Sequence, residues 1–229
     1  MIHFMKYTLS SNCVPQAALI LILSAGVSGA ATTLYSLKTE GRDIPDNDSS
    51  GVASVLTLST GGKLIGSLEV GLDIAGGWNS DYYAYLQHDS GLGSVMVVLL
   101  NRPGASAAEP GGASSSGMSL ILEDSAPQDI HRGIPMKNGD VVAGRYQPDG
   151  RTEDPLSATD TSPRTTFLAD FAGTAADGGW TLFIADQGGG EVGQLTSWSL
   201  NMTFAEVPEP SAAVSVLLAL GAGLGRRRR

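Results

Sequence analysis

Between Thr32 and Glu206 the chain alternates apolar and polar positions and shows no helical spacing. Leu68, Val70, Leu72 and Ile74 alternate with Glu69, Gly71 and Asp73, a period of two that turns one face to a core and the other to water. Trp180, Leu182 and Ile184 repeat the pattern against Thr181, Phe183 and Ala185, and Trp198, Leu200, Met202 and Phe204 repeat it against Ser199, Asn201 and Thr203. Thr33–Leu37, Val52–Leu58, Tyr82–Leu86, Val95–Leu100 and Ser119–Glu123 are further strands by the same criterion. Turn clusters separate them at 46–51, Gly76-Gly77, Asn138-Gly139-Asp140, Asp149-Gly150, Asp177-Gly178-Gly179 and 188–190. Many short strands with Gly and Asp punctuation and no 12-residue amphipathic helix predict an all-β fold, an antiparallel jelly roll or β-sandwich. The Gly/Ala/Ser/Pro-rich segment Pro103–Gly117 reads as an exposed, mobile loop inside this domain.

The two ends follow other rules. Lys6, the apolar run 17–23 and the small residues Ser28-Gly29-Ala30-Ala31 have the order of a secretory signal peptide, with Ser28 and Ala30 at the small-residue positions of cleavage. Signal peptidase is the implied partner. At the other end Val207-Pro208-Glu209-Pro210 stops regular structure. Uncharged residues 211–225 and then Arg226, Arg227, Arg228 and Arg229 follow. As helix the uncharged stretch spans about 22 Å, short of the ~30 Å hydrocarbon core. The arginines make it membrane-directed, because such a cluster stays on the cytoplasmic side.

Pro208-Glu209-Pro210, a short apolar helix and a terminal arginine cluster resemble the PEP-CTERM sorting signal. That resemblance implies export, transient inner-membrane anchoring, cleavage near the Pro-Glu-Pro by an exosortase-type membrane protease, and a Gram-negative host that makes extracellular polysaccharide. The chain then divides into a signal peptide (1–30), N-terminal strands and linker (31–65), a sandwich (66–206) and a sorting signal (207–229).

Composition narrows the function. The formal charge is −9, with 14 basic against 23 acidic residues, which disfavours nucleic-acid binding. Loss of 1–30 and 207–229 removes Lys6, four arginines and Glu209, leaving −13. The single cysteine, Cys13, leaves with the signal, so no disulfide framework exists, and three histidines are too few for a Cys/His zinc site.

Gly179-Trp180-Thr181-Leu182, Asp186 and the segment 193–200 resemble the last two strands of the P domain (P/Homo B) of subtilisin/kexin-type proprotein convertases. Asp81 to Leu86 followed by Gly91, the Glu123–Ala126 turn and Leu168–Gly173 extend the resemblance to about Gly66–Phe204. It implies a jelly roll that, in convertases, follows a catalytic domain. The roughly 35 residues between Ala31 and Gly66 are too few for one. Trp180 and Trp198 stand in period-two rows with Leu partners, so each is expected in the core.

Catalysis has little to work with. The exported body offers only His88 and His131 as imidazole bases, each beside an Asp, an arrangement that is ordinarily a solvated pair, and no Gly-x-Ser-x-Gly elbow occurs. Asp81, Asp89, Asp124 and Asp186, placed by the resemblance at strand ends, are candidate Ca²⁺ ligands, solvated turn carboxylates being the alternative. Trp78, Tyr83 and Tyr85 are candidate glycan contacts. Tyr83 and Tyr85 share a face opposite Tyr82, and either a sugar stacks there or the core and the Pro103–Gly117 loop cover both faces. The expectation is a non-catalytic exported surface or matrix protein, structural or adhesive. A carbohydrate-binding module that takes extracellular polysaccharide, or an accessory P domain for a separately encoded protease, is the alternative.

Overall fold

The computed structural model describes residues 32–91, 93–135 and 141–205. The signal peptide, the sorting tail, the helices expected in them and the 138–140 turn lie outside the described residues. Among the described residues no helix is long and apolar enough to cross a membrane.

Nine strands among those residues build two sheets. The five-stranded sheet runs β1 (Thr33–Ile44), β9 (Gly193–Phe204), β3 (Ile65–Trp78), β6 (Ser116–Leu122), β7 (Val142–Tyr146). The four-stranded sheet runs β2 (Asp48–Leu58), β8 (Gly178–Asp186), β4 (Tyr82–Asp89), β5 (Ser94–Asn101). This is an all-β two-sheet sandwich. β1 and β2 are the end strands of the two sheets, so the stretch from Thr33 to Leu58 is a structural part of the sandwich.

Alternation becomes burial directly. On β3, Leu68, Val70, Leu72 and Ile74 are buried while Glu69, Gly71 and Asp73 look outward. Trp180 and Trp198 are wholly buried. At ~200 Å² apiece and ~25 cal/mol per Å², each contributes about 5 kcal/mol before entropy. Both indole N–H groups are satisfied, Trp180 Nε1 donating to the Ala176 carbonyl (3.1 Å) and Trp198 Nε1 to Ser54 Oγ (2.7 Å). Ser54 in turn donates to Glu40. That chain joins β9 and β1 of one sheet to β2 of the other.

Three expectations are corrected. Gly76-Gly77 is no turn but lies within β3, where φ of +69° and +64° makes a bulge between Ile74 and Trp78. The glycines are required there by close approach, since a Cβ on Gly77 would sit 1.7 Å from Tyr82 Oη, which donates to the Gly76 carbonyl (3.0 Å). Pro103–Gly117 is not an exposed loop. Pro103, Ala105, Ala113 and Ser115 are buried, and only 107–111 form an exposed tip. Gly104 N–H donates to the His131 carbonyl (2.8 Å) and Arg102 Nη2 to the Pro110 carbonyl (3.0 Å). Small side chains permit this packing, because a Cβ on Gly112 would lie 2.7 Å from Ser80 Cβ. Finally, the sheets are not wholly antiparallel, since β6 and β7 pair in parallel. A parallel pair needs a crossover of a dozen or more residues, and 123–141, carrying the helical turn α1 (Ile130–Gly133), supplies it.

Candidate functional site

Both histidines are interior, not solvated. His88 stacks on Trp180 with ring centroids 4.0 Å apart and planes 6° from parallel. Its Nδ1 faces the Gly179 carbonyl (3.1 Å) and its Nε2 the Ala175 carbonyl (2.7 Å). His131 Nδ1 faces Asp149 Oδ2 (2.8 Å) and its Nε2 the Ala105 carbonyl (2.7 Å). A general base needs a ring nitrogen open to substrate, and neither ring has one.

The partner of His131 is Asp149, not the neighbouring Asp129. Asp149 also accepts from Asn101 N–H (3.2 Å) and from Arg151 Nη1 (3.1 Å), and Arg151 reaches Asp129 as well (3.2 Å). Burial pushes the His131 imidazole down, but the Asp149 hydrogen bond and charge outweigh it and raise the ring above its ordinary pKa. The result is a buried Asp129–Arg151–Asp149–His131 chain that ties α1 to the segment after β7. Sequence reasoning missed it. Asp149-Gly150 reads as a turn, and the one available signal was an Arg two residues past an Asp, which the neighbouring charges Arg145, Glu153 and Asp154 hide.

The four candidate Ca²⁺ ligands do not converge on one site. Asp124 accepts the backbone N–H groups of Leu168 (3.1 Å) and Ala169 (2.7 Å), holding the 3₁₀ turn Leu168–Phe171. Asp89 ends β4 opposite Gly179, while Asp186 pairs with Tyr82 beside Asp81 at the other end of that strand. Asp81 and Asp186 gather with Asp46 under the loop 188–190, where Gly188 N–H donates to Asp186 (2.9 Å) and Gly190 N–H to Asp46 (3.0 Å). Burial, then the charges of Asp81 and Asp46 acting against the Gly188 hydrogen bond, push the Asp186 carboxyl up to about 6. Burial raises Asp81 too, against the pull of Arg102. Among the described residues no three His, Cys, Asp or Glu side chains are placed to hold a metal ion.

The candidate glycan residues divide between the sheets. Trp78, 40% exposed, ends β3 in register with Ser116. Tyr83 and Tyr85 lie half-buried on the outer face of the four-stranded sheet. There Tyr85 stacks on Phe183 at 4.9 Å and 18°, and Tyr83 meets Tyr85 edge-on at 6.1 Å. Tyr82, on the opposite face, is buried.

The proprotein convertase P-domain family matches residues 149–202, the span that carries Trp180, Asp186 and Trp198. Among solved structures, the chain is similar to the Aeromonas sobria serine protease in complex with its chaperone, at 14% identity and a TM-score of 0.44, over 78% of this chain and 28% of that one. The same protease on its own gives 13%, 0.44, 77% and 28%. This chain therefore spans 28% of the length of the solved protease chain. No curated protein matches it. The body is a P-domain-like β-sandwich.

Proposed function

We propose that the chain is a non-catalytic, exported β-sandwich with a structural or adhesive role at the cell surface or in the extracellular polysaccharide matrix, delivered by a signal peptide and a PEP-CTERM-type tail. The observation that carries this reading is the P-domain likeness of 149–202 on a body whose two imidazoles are both committed to internal hydrogen bonds. Signal peptidase and an exosortase-type protease are the partners it requires. The intact mass of the protein released by a host with such a sorting system tests it. Loss of residues 1 to about 30 and of everything beyond about Val207 is the expected result, and a released form that retains Arg226–Arg229 refutes it.

A second reading follows from the family match alone, an accessory P domain that assists a separately encoded protease. It requires that the added protein lengthen the half-life or raise the yield of an active exported protease.

A further inference from the structure

The outer face of the five-stranded sheet presents three cross-strand rows. Tyr35, Asn201 and Glu69 form the first, Leu37, Ser199, Gly71, Ile121 and Arg145 the second, with Leu37 and Ile121 as its exposed apolar members, and Thr39, Ser197, Asp73, Ser119 and Ala143 the third. Glu69, Gly71 and Asp73 follow one another on β3, so two carboxylates stand roughly 13 Å apart along the strand with no side chain between them. A Cβ on Gly71 would meet Ser199 Oγ at 2.3 Å, so glycine leaves the middle row as a low floor. The depression encloses about 420 Å³, within the range of small-ligand sites.

Its polar groups are pre-positioned. Glu69 accepts from Asn201 Nδ2 (2.9 Å) on one oxygen and from Arg145 Nη1 (3.1 Å) on the other. Asp73 accepts from Ser119 Oγ (2.7 Å) and from Ser197 Oγ (2.7 Å). These partners come from strands on both sides of β3 and fix the carboxylate planes, while each oxygen keeps lone-pair capacity for a further donor. At the β1 side Tyr35 is 64% exposed, an aromatic ring with a hydroxyl tip and with no aromatic ring contact among the described residues. Glu69, Asp73 and the adjoining Glu123 outnumber Arg145, so the floor repels anions and favours uncharged groups that donate hydrogen bonds. A sugar ring, with hydroxyls around its edge and C–H groups on its faces, has that chemistry.

We propose that this face, from Tyr35 across Gly71 to Arg145, is a binding groove for neutral oligosaccharide, with Tyr35 as the stacking platform and Glu69 and Asp73 as hydroxyl acceptors. It lies on the opposite sheet from Tyr83 and Tyr85, and it needs neither the sorting tail nor a particular location. The secreted protein, its processed ends fixed separately by intact mass, is titrated calorimetrically with neutral glucose, mannose and galactose hexasaccharides and with polygalacturonate as the anionic counterpart. At least one neutral hexasaccharide is expected to bind at millimolar Kd or tighter. Tyr35→Ala and Asp73→Asn should each weaken it by about tenfold or more, with melting temperatures within a few degrees of wild type and Tyr83→Ala without effect. Three results each overturn the proposal: no binding of any neutral probe at 10 mM, tighter binding of polygalacturonate, or loss of binding in Tyr83→Ala with retention in Tyr35→Ala. Such a failure leaves the sorting reading untouched, because that reading is tested by the intact mass and not by ligand binding.

Discussion

Asp149 is wholly buried and accepts four hydrogen bonds, from His131 Nδ1 (2.8 Å), Asn101 N–H (3.2 Å), Arg151 Nη1 (3.1 Å) and Arg151 N–H (3.4 Å). Asp149→Asn keeps the shape and removes the charge. Its amide nitrogen then faces either the His131 and Asn101 donors, which share Oδ2, or the two Arg151 donors on Oδ1, and Arg151 is left with Asp129 as its remaining carboxylate. Breaking a buried pair of this kind costs about 3–5 kcal/mol, beyond the range of an exposed ion pair. For a body of this size that is a fall of roughly 6–20 °C in melting temperature. The pH dependence separates this account from general damage. In the wild type the folded pKa of His131 is raised, so its stabilisation is fully present below about 6.5, the ordinary value, and fades as pH climbs through the folded one. With Asp149 neutral, burial prevails and that stabilisation is gone. Thermal melts by circular dichroism from pH 5 to 9 should therefore show the largest gap between wild type and variant below pH 6.5, narrowing toward pH 9. A gap below about 1 kcal/mol, or one that widens with pH, would refute the reasoning.

Two further outcomes are expected. Asp186→Asn retains the acceptor for Gly188 N–H while removing a carboxylate whose folded pKa is raised to about 6. The wild type loses stability as pH rises from about 4 to about 6, by up to ~3 kcal/mol, so the variant should melt higher than wild type at pH 7.5 and no higher at pH 4, read by scanning calorimetry. Gly77→Ala places a methyl group 1.7 Å from Tyr82 Oη at a φ of +64°. A loss of about 2 kcal/mol or more is expected in urea unfolding, partly recovered when Tyr82→Phe is added, and an unchanged midpoint would contradict the close packing.

How far each feature could be read in advance depended on how local its cause was. The strand positions follow from alternation, because a residue's side on a pleated strand is set by its immediate neighbours. The rows through Leu72, Trp180 and Trp198 are accordingly buried where the pattern puts them. β7, Val-Ala-Gly-Arg-Tyr, has no such rhythm and is a strand because β6 offers it an edge. Gly76-Gly77 carries the composition of a turn and becomes a bulge because Tyr82, from the other sheet, needs the space.

The candidate sites lay further out of reach. Tyr83 and Tyr85 share a face by local geometry alone, but their neighbour Phe183 lies about a hundred residues away. The His131–Asp149–Arg151 network joins α1 to the segment after β7, and the face holding Tyr35, Glu69, Arg145 and Asn201 brings together residues from separated strands. Their distances are set by strand register and by which sheet each strand joins, quantities that no stretch of a dozen residues contains. Local alternation decided which side chains point inward, and the long-range pairing of nine strands decided which of them meet.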